Sequence, residues 1–159
     1  MSVIVRPARA DDREALIEQF QGLNVYEDAI TGNRRHDRAG GAESLDQADR
    51  KVAEKSGISL VAENDGKVVG HLFLIFDRHE VFVREELRDH AHVTELFVRE
   101  EVRGRGVGYA LLREAERLAR ARGVGHMTIG VLTGNGLAER AYGRFGFRPH
   151  AAELFKMLD

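Results

Sequence analysis

The chain has 159 residues, 43% hydrophobic and 31% charged, enough to bury a core as one domain spanning residues 1–159. It contains no cysteine, which excludes disulfide frameworks, thiolate catalysis and thiolate metal sites. A formal net charge of −2 gives no push toward nucleic acid or anionic lipid. With no apolar leader and no apolar run of membrane length, a cytoplasmic protein is expected.

In chain order, "SVIVR" reads as a short opening strand. A helix start follows, with Asp11 as cap and Glu14 in the capping-box position, and Leu16, Ile17, Phe20 and Leu23 recur at helical spacing. The polar run "TGNRRHDRAGG" (31–41) reads as a loop, and Ser44 with Gln47 as a second capping box opening a helix that ends near Gly57. "ISLVAEN" and "KVVGHLFLIF" are strands joined at Asp65-Gly66, a hairpin signal. The charged run from Asp77 to His90 is expected to be an excursion before the strand "AHVTELFV". Then come a glycine turn and helix, a strand in "HMTIGV", a short helix from Asn135 to Phe145 and a last strand in "ELFKML". A hairpin with later strand–helix–strand units predicts an α+β (mixed α/β) fold, a mixed sheet with helices packed on it.

The turn "RGRGVGYALL" (103–112) is the most informative stretch. It is no linker, because a strand precedes it and Val107, Leu111, Ala115 and Leu118 form an apolar helical stripe after it. Two arginines in a chain of negative net charge make a poor RNA tract. The glycines instead let the backbone approach a ligand, and the helix that follows offers unpaired amides and the positive end of its dipole to a phosphate. Arg103 and Arg105 can add charge-assisted bonds. The run is not a Walker sequence, and Tyr109 stands where a dinucleotide fingerprint needs its last glycine. A plain strand-to-helix turn remains the alternative.

The spacing Arg103-x-x-Gly106-x-Gly108, after a strand ending in Val98, resembles the acetyl-coenzyme A motif of the GCN5-related N-acetyltransferases (GNAT). Asn135, Ala138, Ala141, Tyr142, Phe145, Gly146 and Phe147 resemble the Asn…Ala…Tyr…Gly-Phe segment of the same family, and the clear match spans residues 91–147. The resemblance implies a central, mostly antiparallel sheet flanked by helices, with a splayed strand pair forming the acetyl-CoA cleft. It implies that backbone groups of Leu96, Phe97 and Val98 pair with the pantetheine arm. The amides of Arg103, Gly104, Arg105, Gly106, Val107 and Gly108 would hold the pyrophosphate, and Asn135 would bond the pantetheine. Tyr142 would stand near the thioester sulfur as general acid.

The implied reaction is direct attack of a primary amine, of a small molecule or peptide, on acetyl-CoA. Such an amine has a pKa near ~10.4 and must first lose a proton. Strand alternation puts His92 with Thr94 on one face and Glu95 on the other, and a β-bulge, common in the family here, flips that parity. Glu95 and His92 are both candidate bases, and surface strand residues are the plain alternative for both. Some family members carry the glutamate on the next strand, where this chain has Gly130. Tyr26, Glu27 and Asp28 close the first helix, where two acids could attract a cationic acceptor; a solvated helix end is the plain alternative. His90 and His92 form the one close histidine pair, and without a third ligand no metal site is expected. A homodimer stays open. The competing functional reading is a non-catalytic acyl-CoA sensor on the same fold, which would not need Tyr142.

Overall fold

A computed structural model describes residues 1–159. Five strands form one sheet in sequential order: β1 (Ile4–Pro7), β2 (Ile58–Asn64), β3 (Lys67–Arg78), β4 (Asp89–Val98) and β5 (Met127–Ile129). The first four pair antiparallel, and β5 joins β4 in parallel. Helices α1 (Arg13–Thr31) and α2 (Arg38–Glu54) cover one face; α3 (Val107–Arg122) covers the other, and α4 (Gly136–Phe145) follows β5. No helix is long and apolar enough to cross a membrane.

Sheet alternation splits the core in two. Leu72 and Leu74 of β3 point with Val93 toward Val107, Leu111, Leu112 and Ala115 of α3. Val61 and Phe73 point the other way, onto Leu16, Ile17 and Phe20 of α1 and Leu45 and Ala48 of α2. The apolar stripes expected of α1 and α3 are the faces that bury, and Arg120 bonds Glu116 on the solvent side of α3 at 2.7 Å. The Asp65-Gly66 hairpin also forms, with both residues at positive φ (49° and 75°).

Four local expectations are corrected. Asp12, not Asp11, anchors the first helix: it is buried, accepts from the Arg9 amide at 2.7 Å and pairs with Arg6 at 2.8 Å. The second helix starts at Arg38, six residues before the Ser44 box, with Asp37 as its cap. Its Gly40-Gly41 pair looked like a breaker, yet a Cβ at Gly41 would stand 2.8 Å from the Ile17 carbonyl oxygen. Glycine is there so that α1 and α2 can approach closely. Strands β3 and β4 reach further than expected into the charged run, pairing Asp77 with His90 and Arg78 with Asp89. Finally, "ELFKML" forms no strand, and Leu154 is 93% exposed; apolar residues make a strand only where a neighbouring edge pairs with them.

Candidate active site

The site begins with a defect in β4. Phe73 pairs with Glu95 but Leu74 pairs with Val93, so Thr94 is an extra residue, a bulge. His92 and Glu95, opposite Ile75 and Phe73, consequently share the face toward α1, and simple alternation fails here. Beyond the bulge the strands part. Strand β5 pairs with Ala91, His92 and Val93 only, which leaves the outer edge of β4 from Thr94 to Val98 without a neighbour.

A small cavity opens at that fork, lined by Leu23 and Glu27 of α1, Thr94 and Glu95 of β4, Gly130 and Tyr142. Burial, and then the nearby Glu27 carboxylate, push the Glu95 carboxyl up to about 7. Burial, with Glu27 and Tyr26 adding to it, pushes the Tyr142 phenol up to about 12. The cavity thus joins a carboxyl that changes charge near neutral pH to a hydroxyl that keeps its proton there. His92 is not among the lining residues. Its Nδ1 lies 2.7 Å from Thr128 Oγ1 on β5, and burial holds the ring below the ordinary histidine value.

The glycine turn lies just past the exposed edge of β4. Gly104 and Gly106 adopt left-handed φ of 75° and 85°, and a Cβ on either would meet nothing within 4 Å. Open space at a glycine points to backbone conformation, and room for a ligand, as the reason for the residue type. Helix α3 has no side-chain cap, and no protein group accepts from the amides of Gly104 through Tyr109. Six consecutive free donors at a helix N-terminus fit a pyrophosphate. The two arginines divide the work: Arg103 Nε donates to the Val98 carbonyl at 2.9 Å, while Arg105 is exposed and free of protein partners.

Several predicted side chains turn out to support others. The Arg103 guanidinium lies 5.1 Å from the Tyr26 ring centroid, and the Tyr26 hydroxyl donates to Asn135 Oδ1 at 3.2 Å. Asn135 Oδ1 also caps α4 by accepting from the Ala138 amide. Tyr26 therefore bridges the two motifs. The half-buried Phe97 ring stacks on His71 and lies against Gly22 of α1. Of the two acids ending α1, Glu27 enters the cavity, paired with Arg34 at 3.0 Å. Asp28 is turned away, holding the Arg34 amide and the His36 ring. Arg34 carries no motif in the sequence, and only the fold of the α1–α2 loop brings it here. The expectation that His90 has no third ligand nearby is also corrected, because His79 and His126 come to it.

The acetyltransferase (GNAT) family model matches residues 23–147. Streptothricin acetyltransferase of Streptomyces lavendulae is 27% identical over 156 residues, covering 89% of this chain and 78% of that protein. A variant of the BH1408 protein of Bacillus halodurans superposes with TM-score 0.85 at 20% identity, covering 98% of this chain and 99% of its own. An aminoglycoside antibiotic 6'-N-acetyltransferase from Acinetobacter haemolyticus gives TM-score 0.71 at 18% identity, over 98% and 99% of the two chains. With the forked strands and the glycine turn already in view, the family match over most of the chain leads to one conclusion: this chain belongs to the GNAT acetyltransferase family.

Proposed function

We propose that the protein, acting as one domain over residues 1–159, is an acetyl-CoA-dependent N-acetyltransferase whose acceptor is a cationic small molecule with a primary amine. The observation that carries this reading is the pairing of Glu95 and Tyr142 in one cavity at the fork of β4 and β5. In this reading the free edge of β4 from Leu96 to Val98 takes the pantetheine arm as an added strand. The amides of Gly104 to Gly108 and the Arg105 guanidinium take the pyrophosphate, and the Nδ2 of Asn135 remains available to the pantetheine.

Glu95, ionised near neutral pH, removes a proton from the acceptor ammonium, directly or through water. The freed amine attacks the thioester carbonyl, and a β4 amide near Leu96 stabilises the charge on its oxygen. The carbon–sulfur bond breaks, and Tyr142 gives its proton to the departing thiolate. The products are an acetamide and free coenzyme A. Glu27 and Glu95 both line the cavity, and with Arg34 balancing one of the two charges a carboxylate is left for a cationic amine. Relatives named for streptothricin and aminoglycoside acetylation support amine-bearing antibiotics as the first acceptors to try.

The test is thiol release from acetyl-CoA across polyamines, amino acids, streptothricin, aminoglycosides and peptide amines. Turnover with at least one cationic small molecule is expected. Acetyl-CoA binding without turnover of any amine would favour the sensor reading; turnover of peptide amines alone would overturn the acceptor class.

A further inference from the structure

His90 lies five residues before Glu95, roughly 17 Å along β4 at the rise of an extended strand, so it sits well away from the cavity. His79, the first residue after β3, and His126, the residue just before β5, meet it there. One ring nitrogen from each of the three comes within 4.8 Å of the others. The rings of His79 and His90 stack at 3.7 Å, and Nε2 of His79 is 3.0 Å from Nε2 of His126.

The buried ring of the three, His90, has its tautomer fixed. Its Nδ1 is 3.1 Å from the Arg88 carbonyl oxygen. A carbonyl only accepts, so Nδ1 holds the hydrogen and Nε2 of the neutral ring holds a lone pair. A histidine that donates its far N–H to a backbone carbonyl is oriented as metal-binding histidines commonly are. The contact between His79 and His126 needs one proton between two nitrogens, and a metal ion in its place would use both lone pairs. Three imidazoles with neither thiolate nor carboxylate among them suit zinc, cobalt, nickel or copper rather than magnesium or calcium. Of the acids flanking these histidines, Asp77 is held by Lys55 at 3.0 Å and Asp89 by Arg78 at 2.7 Å.

We propose that His79, His90 and His126 form a binding site for a divalent late-transition-metal ion of the zinc class, which ties the mouth of the β3–β4 loop to the start of β5. Tetrahedral zinc with Zn–N bonds of about 2.0–2.1 Å sets its nitrogens ~3.3 Å apart. One pair is already near that spacing, and the widest separation exceeds it by roughly 1.5 Å, within reach of a ring rotation. His90 is the buried, fixed member. His79 and His126 are half-buried, at a loop entrance and next to Gly125, where their rings can turn from parallel to convergent. The fourth position is left to solvent or to His150, which lies near enough to act electrostatically on both His79 and His126. The purpose is legible in the sheet: β5 is three residues long and pairs with β4 at three positions, so its start gains most from a cross-link.

The test uses tag-free, metal-stripped full-length protein titrated with Zn²⁺ against a chromophoric chelator, and with Co²⁺ followed by visible absorption. Expected are one Zn²⁺ per chain with a Kd below ~1 µM, cobalt bands typical of nitrogen ligation, and a higher unfolding midpoint with zinc. His126→Ala and His79→Gln should each weaken zinc at least ~100-fold, while His36→Ala, at the α1–α2 loop, leaves it within a few-fold. The half-buried His79 gives a second readout should His126→Ala fold poorly. Zinc binding weaker than ~10 µM, or unaffected by loss of either His79 or His126, would overturn the site.

Discussion

Replacing Glu95 by glutamine keeps the shape of the side chain and removes its charge. In the folded protein the carboxyl titrates at about 7 against an ordinary value of 4.5, mainly through burial. That difference corresponds to ~3 kcal/mol of preference for the neutral form. The folded pKa is raised, so the associated stability is present below pH ~4.5 and is lost as pH rises to about 7. Glu95→Gln should therefore unfold near the parent temperature at pH 5 and above it at pH 8, by up to ~6–12 °C for a chain of this size. Differential scanning fluorimetry at several pH values measures this, and other titrating groups, including buried His71, cancel in the comparison. The same substitution should lower kcat/KM at least ~100-fold and remove an acid limb that in the parent falls tenfold per pH unit below about 7. A loss of activity with a melting difference that is flat between pH 5 and 8 would refute the reasoning, because the carboxylate would then ionise as an ordinary surface group.

Three further outcomes are expected. Tyr142→Phe should lower kcat ~10²-fold or more with little change in KM for acetyl-CoA, read in steady-state kinetics; an equal rise in KM would point to binding instead of proton transfer. Gly106→Asp puts an anion beside the free amides and a Cβ at φ 85°, and should weaken acetyl-CoA binding by ~100-fold or more in calorimetry. Unchanged affinity would remove the pyrophosphate from this turn. Gly41→Val should destabilise the fold by about 1–3 kcal/mol in urea unfolding, because its Cβ meets the Ile17 carbonyl oxygen at 2.8 Å and forces α1 from α2. Unaltered stability would mean that the two helices do not need their close approach.

The geometry of residues 103–108 and 135–147 was legible in the sequence because it is local. A glycine's left-handed φ, a helix's free amides and a seven-residue spacing along one helix are set by near neighbours. The helical stripes and the Asp65-Gly66 hairpin were legible for the same reason. Cross-strand register is not local. The bulge at Thr94 exists only because β3 pairs with β4 in two registers, and it brings Glu95 to the face of α1 beside Glu27. Burial in that cavity, rather than the identity of the residue, gives Glu95 its raised pKa. The sequence likewise read Gly40-Gly41 as an interruption, since nothing nearby in the chain announces the helix that packs on it. Segment "ELFKML" had a strand's composition and lacked a strand's partner. The histidines at 79, 90 and 126 lie up to 47 residues apart, and three strand ends had to converge before they could meet. Short-range chemistry was thus determined by the sequence itself, whereas charge state, strand parity and the joining of distant side chains were decided by packing.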